Sequence, residues 1–300
     1  MEFTARPADS TPMGEILDLE RLGANRFRGR SQPGTSTRMF GGEVAGQAAR
    51  AAMLSEWGRP GERLMHHGHA SFLRAGDSAR PVTHRVHVLR EGRTYTTCRV
   101  DAMQGEDLIL TMTVGLTSGP PAQPRPPLAH QAHAPLVTPP EACPDPWEAY
   151  ADDESVLVWL DRYFATKPFD VRFPTPPHRA QISRHGIATP RQRVWLRLLS
   201  DVPDTHSWRV GAFTFVSDAM LLTTALGPHG VAFDEPNVQL ATITHTMWFH
   251  HDADPHDWFL YDMGVEWSGR ERGLCVGTMY GREGVRIASF GQEGLMRVRD

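Results

Sequence analysis

Residues 92–116 read GRTYTTCRVDAMQGEDLILTMTVGL, and residues 269–293 read GRERGLCVGTMYGREGVRIASFGQE. The two stretches carry one pattern twice. Gly92-Arg93 falls on Gly269-Arg270, Cys98 on Cys275 and Glu106 on Glu283, all at an offset of 177. Outside these stretches the same offset puts Phe72 on Phe249, Asp77 on Asp254 and Gly41 on Asp218. Any one match is weak, but a common offset over separated positions marks a duplicated unit.

The order of elements repeats as well. Val44, Ala45, Ala48, Ala49, Ala52 and Met53 recur near the helical period, so 42–54 is expected to be a helix with a small-residue surface. Strands are expected at 64–73, 82–89, 95–102 and 108–116, separated by turn signals at Ala75-Gly76-Asp77, Glu91-Gly92 and Gln104-Gly105-Glu106. The second half gives a strand at 194–199, a helix at 218–225 ended by Gly227-Pro228, then strands at 238–249, 258–265, 273–280 and 285–290. An antiparallel sheet can curl around one such helix and bury it, and two units side by side can pair their open edges into one sheet. Between the halves, residues 119–146 are rich in Pro, Ala and His. Proline fixes φ and removes a donor, so this stretch is read as an extended linker. The expected division is a first unit at 1–118, a linker at 119–155 and a second unit at 156–300.

Composition narrows the function. The chain has 300 residues, a net charge of -4 and a pI near 6.4, which argues against a nucleic-acid binder held by phosphate contacts. No run of about 18 apolar residues suggests a membrane span. The first twelve residues lack the apolar core of a secretory signal, and Arg297-Val298-Arg299-Asp300 matches no targeting tripeptide, so a cytoplasmic location is expected. The three cysteines, Cys98, Cys143 and Cys275, are odd in number and contain no Cys-x-x-Cys, which points to a reducing compartment without a disulfide framework or structural zinc. Lys167 is the only lysine; the dominance of arginine is read as a codon effect of a GC-rich genome.

Five separated motifs then carry a resemblance. They are Phe40-Gly41-Gly42-Glu43-Val44-Ala45-Gly46-Gln47-Ala48; His69-Ala70-Ser71-Phe72-Leu73-Arg74-Ala75-Gly76-Asp77-Ser78; Ser217-Asp218; Ala241-Thr242-Ile243-Thr244-His245-Thr246-Met247-Trp248-Phe249-His250; and Gln292-Glu293-Gly294-Leu295-Met296-Arg297. In this order they resemble the acyl-CoA thioesterase II family over nearly the whole chain. The resemblance implies an α+β double hot-dog fold, hydrolysis of fatty acyl-CoA to free acid and CoA, and a catalytic Asp, Thr and Gln that fall on Asp218, Thr242 and Gln292. No cofactor or metal is implied. The chain departs from the family pattern at Cys98, where a basic residue is common, and at His67-Gly68, which replaces bulkier residues.

Thioester hydrolysis needs a positioned water, a proton acceptor and donors for the developing oxyanion. Asp218 is the acceptor of the three, and Thr242 and Gln292 can direct the water. At the expected helix start, Asp218 would feel the positive end of its own helix dipole. Backbone N–H groups near Gly41 and Gly42 are candidates for an oxyanion or phosphate site, and His66, expected on the opposite strand face from His67 and His69, is a candidate to line the substrate site. The repeat equivalents of the trio are Gly41, Met65 and Gly115, none able to do acid–base work, so one site per chain is expected. Exposed sheet faces and edges suggest a homo-oligomer.

Other readings stand beside this one. Singly, Asp218 is an ordinary helix-cap residue, Thr242 an ordinary strand residue, and Gln292 a residue near a turn. Gly273-Leu274-Cys275-Val276-Gly277 mimics a nucleophile elbow, but the residues after it read as strand, turn and strand where the elbow needs a helix. His66, His67 and His69, and His245, His250, His251 and His256, cluster without metal-motif spacing. Asp252-Ala253-Asp254-Pro255-His256 is similar to a hydratase signature of the same fold, which makes an enoyl-CoA hydratase-type enzyme the alternative. An acyl-binding or acyl-transfer protein is the other.

Overall fold

The structure is a computed structural model and describes residues 10–31, 37–57, 62–118, 128–164 and 167–299. The first half contributes β1 (Leu19–Gly23), β2 (Arg26–Gly29), β3 (Leu64–Phe72), β4 (Val82–Glu91), β5 (Tyr95–Gln104) and β6 (Asp107–Thr117). The second contributes β7 (Phe169–Arg172), β8 (Arg191–Leu198), β9 (Val238–Phe249), β10 (Phe259–Gly269), β11 (Arg272–Gly281) and β12 (Arg286–Val298). The helices are α1 (Met13–Ile16), α2 (Gly41–Leu54), α3 (Pro146–Ala149), α4 (Glu154–Phe164), α5 (His178–His185) and α6 (His206–Ser217), with 3₁₀ turns at Pro140–Ala142 and Leu222–His229.

The strands form one 12-stranded antiparallel sheet in the order β1-β2-β4-β5-β6-β3-β9-β12-β11-β10-β8-β7. From the centre outward the two halves mirror each other. Their joint is the β3–β9 pair, where His67 faces Trp248 and Ser71 faces Thr244. The repeat offset holds in the strands: β5 and β11 match residue for residue at 177. The expected meeting of two open edges in one continuous sheet is what the chain does.

On the inner face, α2 is buried along almost its whole length, from Gly42 to Ala52. It packs against β3 to β6 on one side and against α6 on the other. Small residues set that second contact. A Cβ on Gly42 would lie 2.2 Å from the carbonyl oxygen of Phe215, and one on Gly46 3.0 Å from that of Gly211. Arg50 of α2 completes the junction; its guanidinium donates to the Leu17 carbonyl and lies 3.4 Å from the ring centre of Trp208 on α6.

The sequence reading missed α6. Residues 206–217 combine aromatic and β-branched residues with Gly211, and the last eight, Val210 to Ser217, are all buried, so no apolar stripe betrays the helical period. Residues 206–229 together are long and apolar enough to cross a membrane, but the stretch is enclosed in the protein and broken after Ser217. The helix expected at 218–225 is a 3₁₀ segment that begins later, at Leu222. The hairpin β1–β2 and helices α4 and α5 were also unforeseen.

The proline-rich stretch differs from a free linker over its described part. Trp195 Nε1 donates to the Thr138 carbonyl at 2.9 Å, Gln131 donates to Gly284 O at 2.8 Å and accepts from Arg286 N at 3.0 Å, and Arg282 pairs with Glu141. It is strapped along the outer side of β8, β10 and β11, and its last proline, Pro146, opens α3 at a position where a missing N–H costs nothing.

The close helix contact generates a test. Alanine ordinarily favours a helix over glycine by about 1 kcal/mol. Gly42→Ala should invert that sign and destabilise the fold by about 1–3 kcal/mol in urea unfolding, because its new methyl meets backbone that cannot swing aside. A neutral or stabilising effect would contradict the packing described.

Candidate active site

Asp218 stands where α6 stops. Its backbone is still helical, with φ -79 and ψ -13. The chain then passes through Met220 in the left-handed region, φ 64, before the 3₁₀ turn. Asp218 is therefore the C-cap of one helix and not the start of another, which corrects the sequence reading. A helix N-terminus does reach its carboxylate, but from the other half of the chain. The N–H of Gly42, second residue of α2, donates to Asp218 Oδ2 at 2.8 Å. The positive end of the α2 dipole thus faces the carboxylate, against the negative end of α6. A Cβ on Gly41 would sit 2.7 Å from Asp218 Oδ2 and 3.0 Å from the Phe72 ring, so the approach needs glycine.

Thr242 and Gln292 come from the neighbouring strands β9 and β12. Gln292 lies inside β12, opposite His245 on β9 and Cys275 on β11, and not beside a turn as its sequence context suggested. The β9–β12 register slips once: Glu293 faces Thr244, and Gly294 faces Thr242. This bulge at Ile243 adds one residue to β9, so His245 and Thr242 both turn inward although three positions apart. The trio then meets. Thr242 Oγ1 donates to Asp218 Oδ1 at 3.1 Å, and Gln292 Nε2 donates to Asp218 Oδ1 at 2.5 Å and to Thr242 Oγ1 at 2.8 Å. Gln292 Oε1 is buried without a hydrogen-bond partner among the described residues.

Behind the trio lies a layer that sequence reasoning did not assemble. Ser217 Oγ donates to the Thr214 carbonyl at 2.8 Å and lies 2.7 Å from His245 Nε2, so the imidazole donates from Nε2 to the serine. Burial presses the His245 pKa down to about 3, which keeps the ring neutral. Tyr261 Oη donates to the Ser217 carbonyl at 2.7 Å, and Tyr163 Oη accepts the Met220 N–H at 2.7 Å. Lys167 Nζ donates to the Tyr163 carbonyl at 2.7 Å. Burial raises the Asp218 pKa above its ordinary value, while the bonds from Thr242, Gly42 and Gln292 and the charge of Lys167 pull the other way.

His66 is elsewhere. It sits near the start of β3, opposite the end of β9, and lines a cavity of about 580 Å³ with Met65, His206, Arg209, Phe249 and His250. Seven residues of extended β9 separate that end from Thr242, roughly 23 Å at about 3.3 Å per residue. A bulge at His66 also brings its ring 4.6 Å from that of His67, where simple alternation had put them on opposite faces. By the pseudo-symmetry of the sheet this cavity is the counterpart of the Asp218 site. It lacks the trio: Met65 is buried, and a Cβ on Gly115 would meet the His67 ring at 2.0 Å.

The competing motifs do not gather into sites. Cys275 is buried in a strand flanked by two others, and burial pushes its thiol up to about 12, the opposite of a nucleophile. Asp252 to His256 lies in the loop between β9 and β10, where His256 bonds Asp254, and it does not lead into a central helix. Among the described residues no three His, Cys, Asp or Glu side chains group as metal ligands.

Known proteins bear on this geometry. Residues 165–295 match the family model described as acyl-CoA thioesterase, and residues 30–117 match the acyl-CoA thioesterase N-terminal domain. The chain is 30% identical over 294 residues to acyl-CoA thioesterase 2 of Haemophilus influenzae, covering 94% of this chain and 96% of that one. It superposes on an acyl-CoA thioesterase II from Mycobacterium marinum with a TM-score of 0.74 at 28% identity, covering 96% of this chain and 99% of that one. A hot-dog protein from Alicyclobacillus acidocaldarius, 18% identical, shares the fold with a TM-score of 0.73 over 96% of this chain and 98% of that one. The duplicated hot-dog sheet and these matches across both halves show that the chain belongs to the acyl-CoA thioesterase family.

Proposed function

We propose that this chain hydrolyses fatty acyl-CoA to free acid and CoA, with Asp218, Thr242 and Gln292 activating one water. The observation that carries the reading is the mutual bonding of the trio around one carboxylate oxygen, beside a buried acceptor left over. Gln292 spends both N–H donors on Asp218 and Thr242, so its Oε1 is free to accept a hydrogen bond from water. A water bonded to Oε1 and to the Asp218 carboxylate has its remaining lone pair fixed in direction. Asp218 takes the proton as that oxygen attacks the thioester carbonyl. Collapse of the tetrahedral adduct breaks the C–S bond, and Asp218 returns the proton to the departing thiolate. Gly41 and Gly42 belong to the substrate site through the α2 N-terminus, where Gly42 holds the base. His66, at the far end of β3, has no place at the reacting carbonyl.

Several features support the wider reading. The counterpart place carries Met65 and Gly115 where the trio has Thr242 and Gln292, which supports one active site per chain. Buried, unpaired cysteines suit a reducing cytoplasm. Trp248, Trp267, Leu274 and Val276 are exposed on the outer sheet, a surface suited to homo-oligomer packing. The division at 1–118, 119–155 and 156–300 keeps β1 to β6 apart from β7 to β12, with its second boundary inside α4. The alternatives, a hydratase-type enzyme or an acyl-binding or acyl-transfer protein, have no comparable geometry behind them.

Asp218→Asn should lower kcat for acyl-CoA at least about 100-fold, the scale of a lost general base, with the melting temperature nearly unchanged. Turnover near the wild-type rate would contradict the mechanism. Titration with a tight-binding acyl-CoA analogue should reach one equivalent per chain, and two would contradict it. Because burial raises the Asp218 pKa, kcat/KM should fall with decreasing pH through a midpoint above the ordinary carboxylate range, being full where the carboxylate is charged.

A further inference from the structure

Of the 31 Lys and Arg residues, Lys167 is the single lysine, and its charge acts on Asp218 without a direct ion pair. The chain uses arginine at every other basic position, which makes this exception informative. Lys167 follows α4 and precedes β7. Its Nζ stands 4.2 Å from the ring centre of Tyr163 and 5.5 Å from that of Phe40. Phe40 is the residue before α2, whose Gly42 holds the carboxylate; Tyr163 accepts the N–H of Met220, two residues beyond Asp218. The lysine thus packs against both arms that fix the base.

The groups around Asp218 leave the positive charge to Lys167. From β9, His245 is neutral, with a pKa near 3; from β11, Cys275 is held neutral, near 12. From α4 and β10, the Tyr163 and Tyr261 phenols are both pushed up by burial. From α2, Glu43, next to Gly42, is a further buried carboxyl. Lys167 is a cation whose charge favours ionised Asp218, beside the larger effects of the bonds from Thr242, Gly42 and Gln292. A carboxylate withdrawn from water tends to protonate, and a nearby cation opposes this. The same burial lowers Lys167 to about 8, with Asp218 pulling it upward, so the ammonium is charged at neutral pH and below.

We propose that Lys167 is a positioning residue whose ammonium, seated between the Phe40 and Tyr163 rings, is the counter-charge that keeps Asp218 ionised and in place for hydrolysis. A compact ammonium fits this seat, where a planar guanidinium needs more room and a fork of acceptors. The proposal rests on Asp218 acting as the base, which Asp218→Asn tests separately.

Two experiments on the full chain decide it. In the first, kcat/KM for an acyl-CoA is followed against pH for the wild type, Lys167→Met and Lys167→Arg. Lys167→Met should move the acid limb up by as much as about one unit, a tenfold change in proton concentration, and Lys167→Arg should bring it back even where its bulk lowers kcat. An acid limb in folded Lys167→Met that coincides with the wild type overturns the proposal. In the second, lysine labelled with ¹³C at Cε gives one resonance in this chain. Its titration midpoint should lie near 8 and fall further in Asp218→Asn, which loses the attracting charge. An unchanged midpoint in that variant overturns the proposal, and this reading requires neither catalysis nor folding of the Met variant.

Discussion

The hydrogen bond from Gly42 N–H to the Asp218 carboxylate joins the first residues of α2 in one half to the end of α6 in the other. Much of the structure serves that bond. The β3–β9 pair sets the two halves edge to edge, and the glycines at 41, 42 and 46 let α2 come within backbone distance of α6. A side chain at Gly41 or Gly42 would push the helix off the carboxylate. The base is thereby held by a dipole end that its own helix could not offer, because α6 presents its negative end there.

The duplicated sheet gives two equivalent places for chemistry, and the chain has furnished one. At the first, the bulge in β9 turns Thr242 and His245 inward together, and Gln292 spans from the next strand. At the second, Met65 is buried and the His67 ring occupies the space above Gly115. What makes the first place polar is also what makes it dry. His245, Tyr261 and Tyr163 back the Asp218 loop with neutral rings, so the charge of Asp218 has few partners, and each matters more than it would in water.

Much of this was legible in the sequence because strands repeat at a fixed offset and turns interrupt them with Gly and Asp. The ranges expected for β3, β5 and β9 differ from the observed ones by two residues or fewer. The alanine-rich α2 showed its period. The α6 helix did not, since burial on nearly every side removes the polar face that pattern reading depends on. The offset paired Asp218 with Gly41, but Gly41 opens α2 and Asp218 closes α6, so the two meet in one site and are not repeat equivalents. A local pattern cannot show that the helix end reaching Asp218 lies 176 residues earlier in the chain. Nor could alternation foresee the bulges at His66 and Ile243, each of which reverses the face of the strand residues beyond it. Lys167 was in plain view as a compositional oddity, and its meaning came only from its neighbours.

The central claim is that chemistry occurs where the two halves meet at Asp218, and not at the counterpart cavity beside His66. A crystal structure with a non-hydrolysable acyl-CoA analogue, its thioester replaced by a ketone, tests this most directly. The account predicts the analogue's carbonyl beside the Asp218, Thr242 and Gln292 side chains, near the start of α2. A carbonyl bound instead among His66, His206 and His250, with the trio untouched, would contradict it.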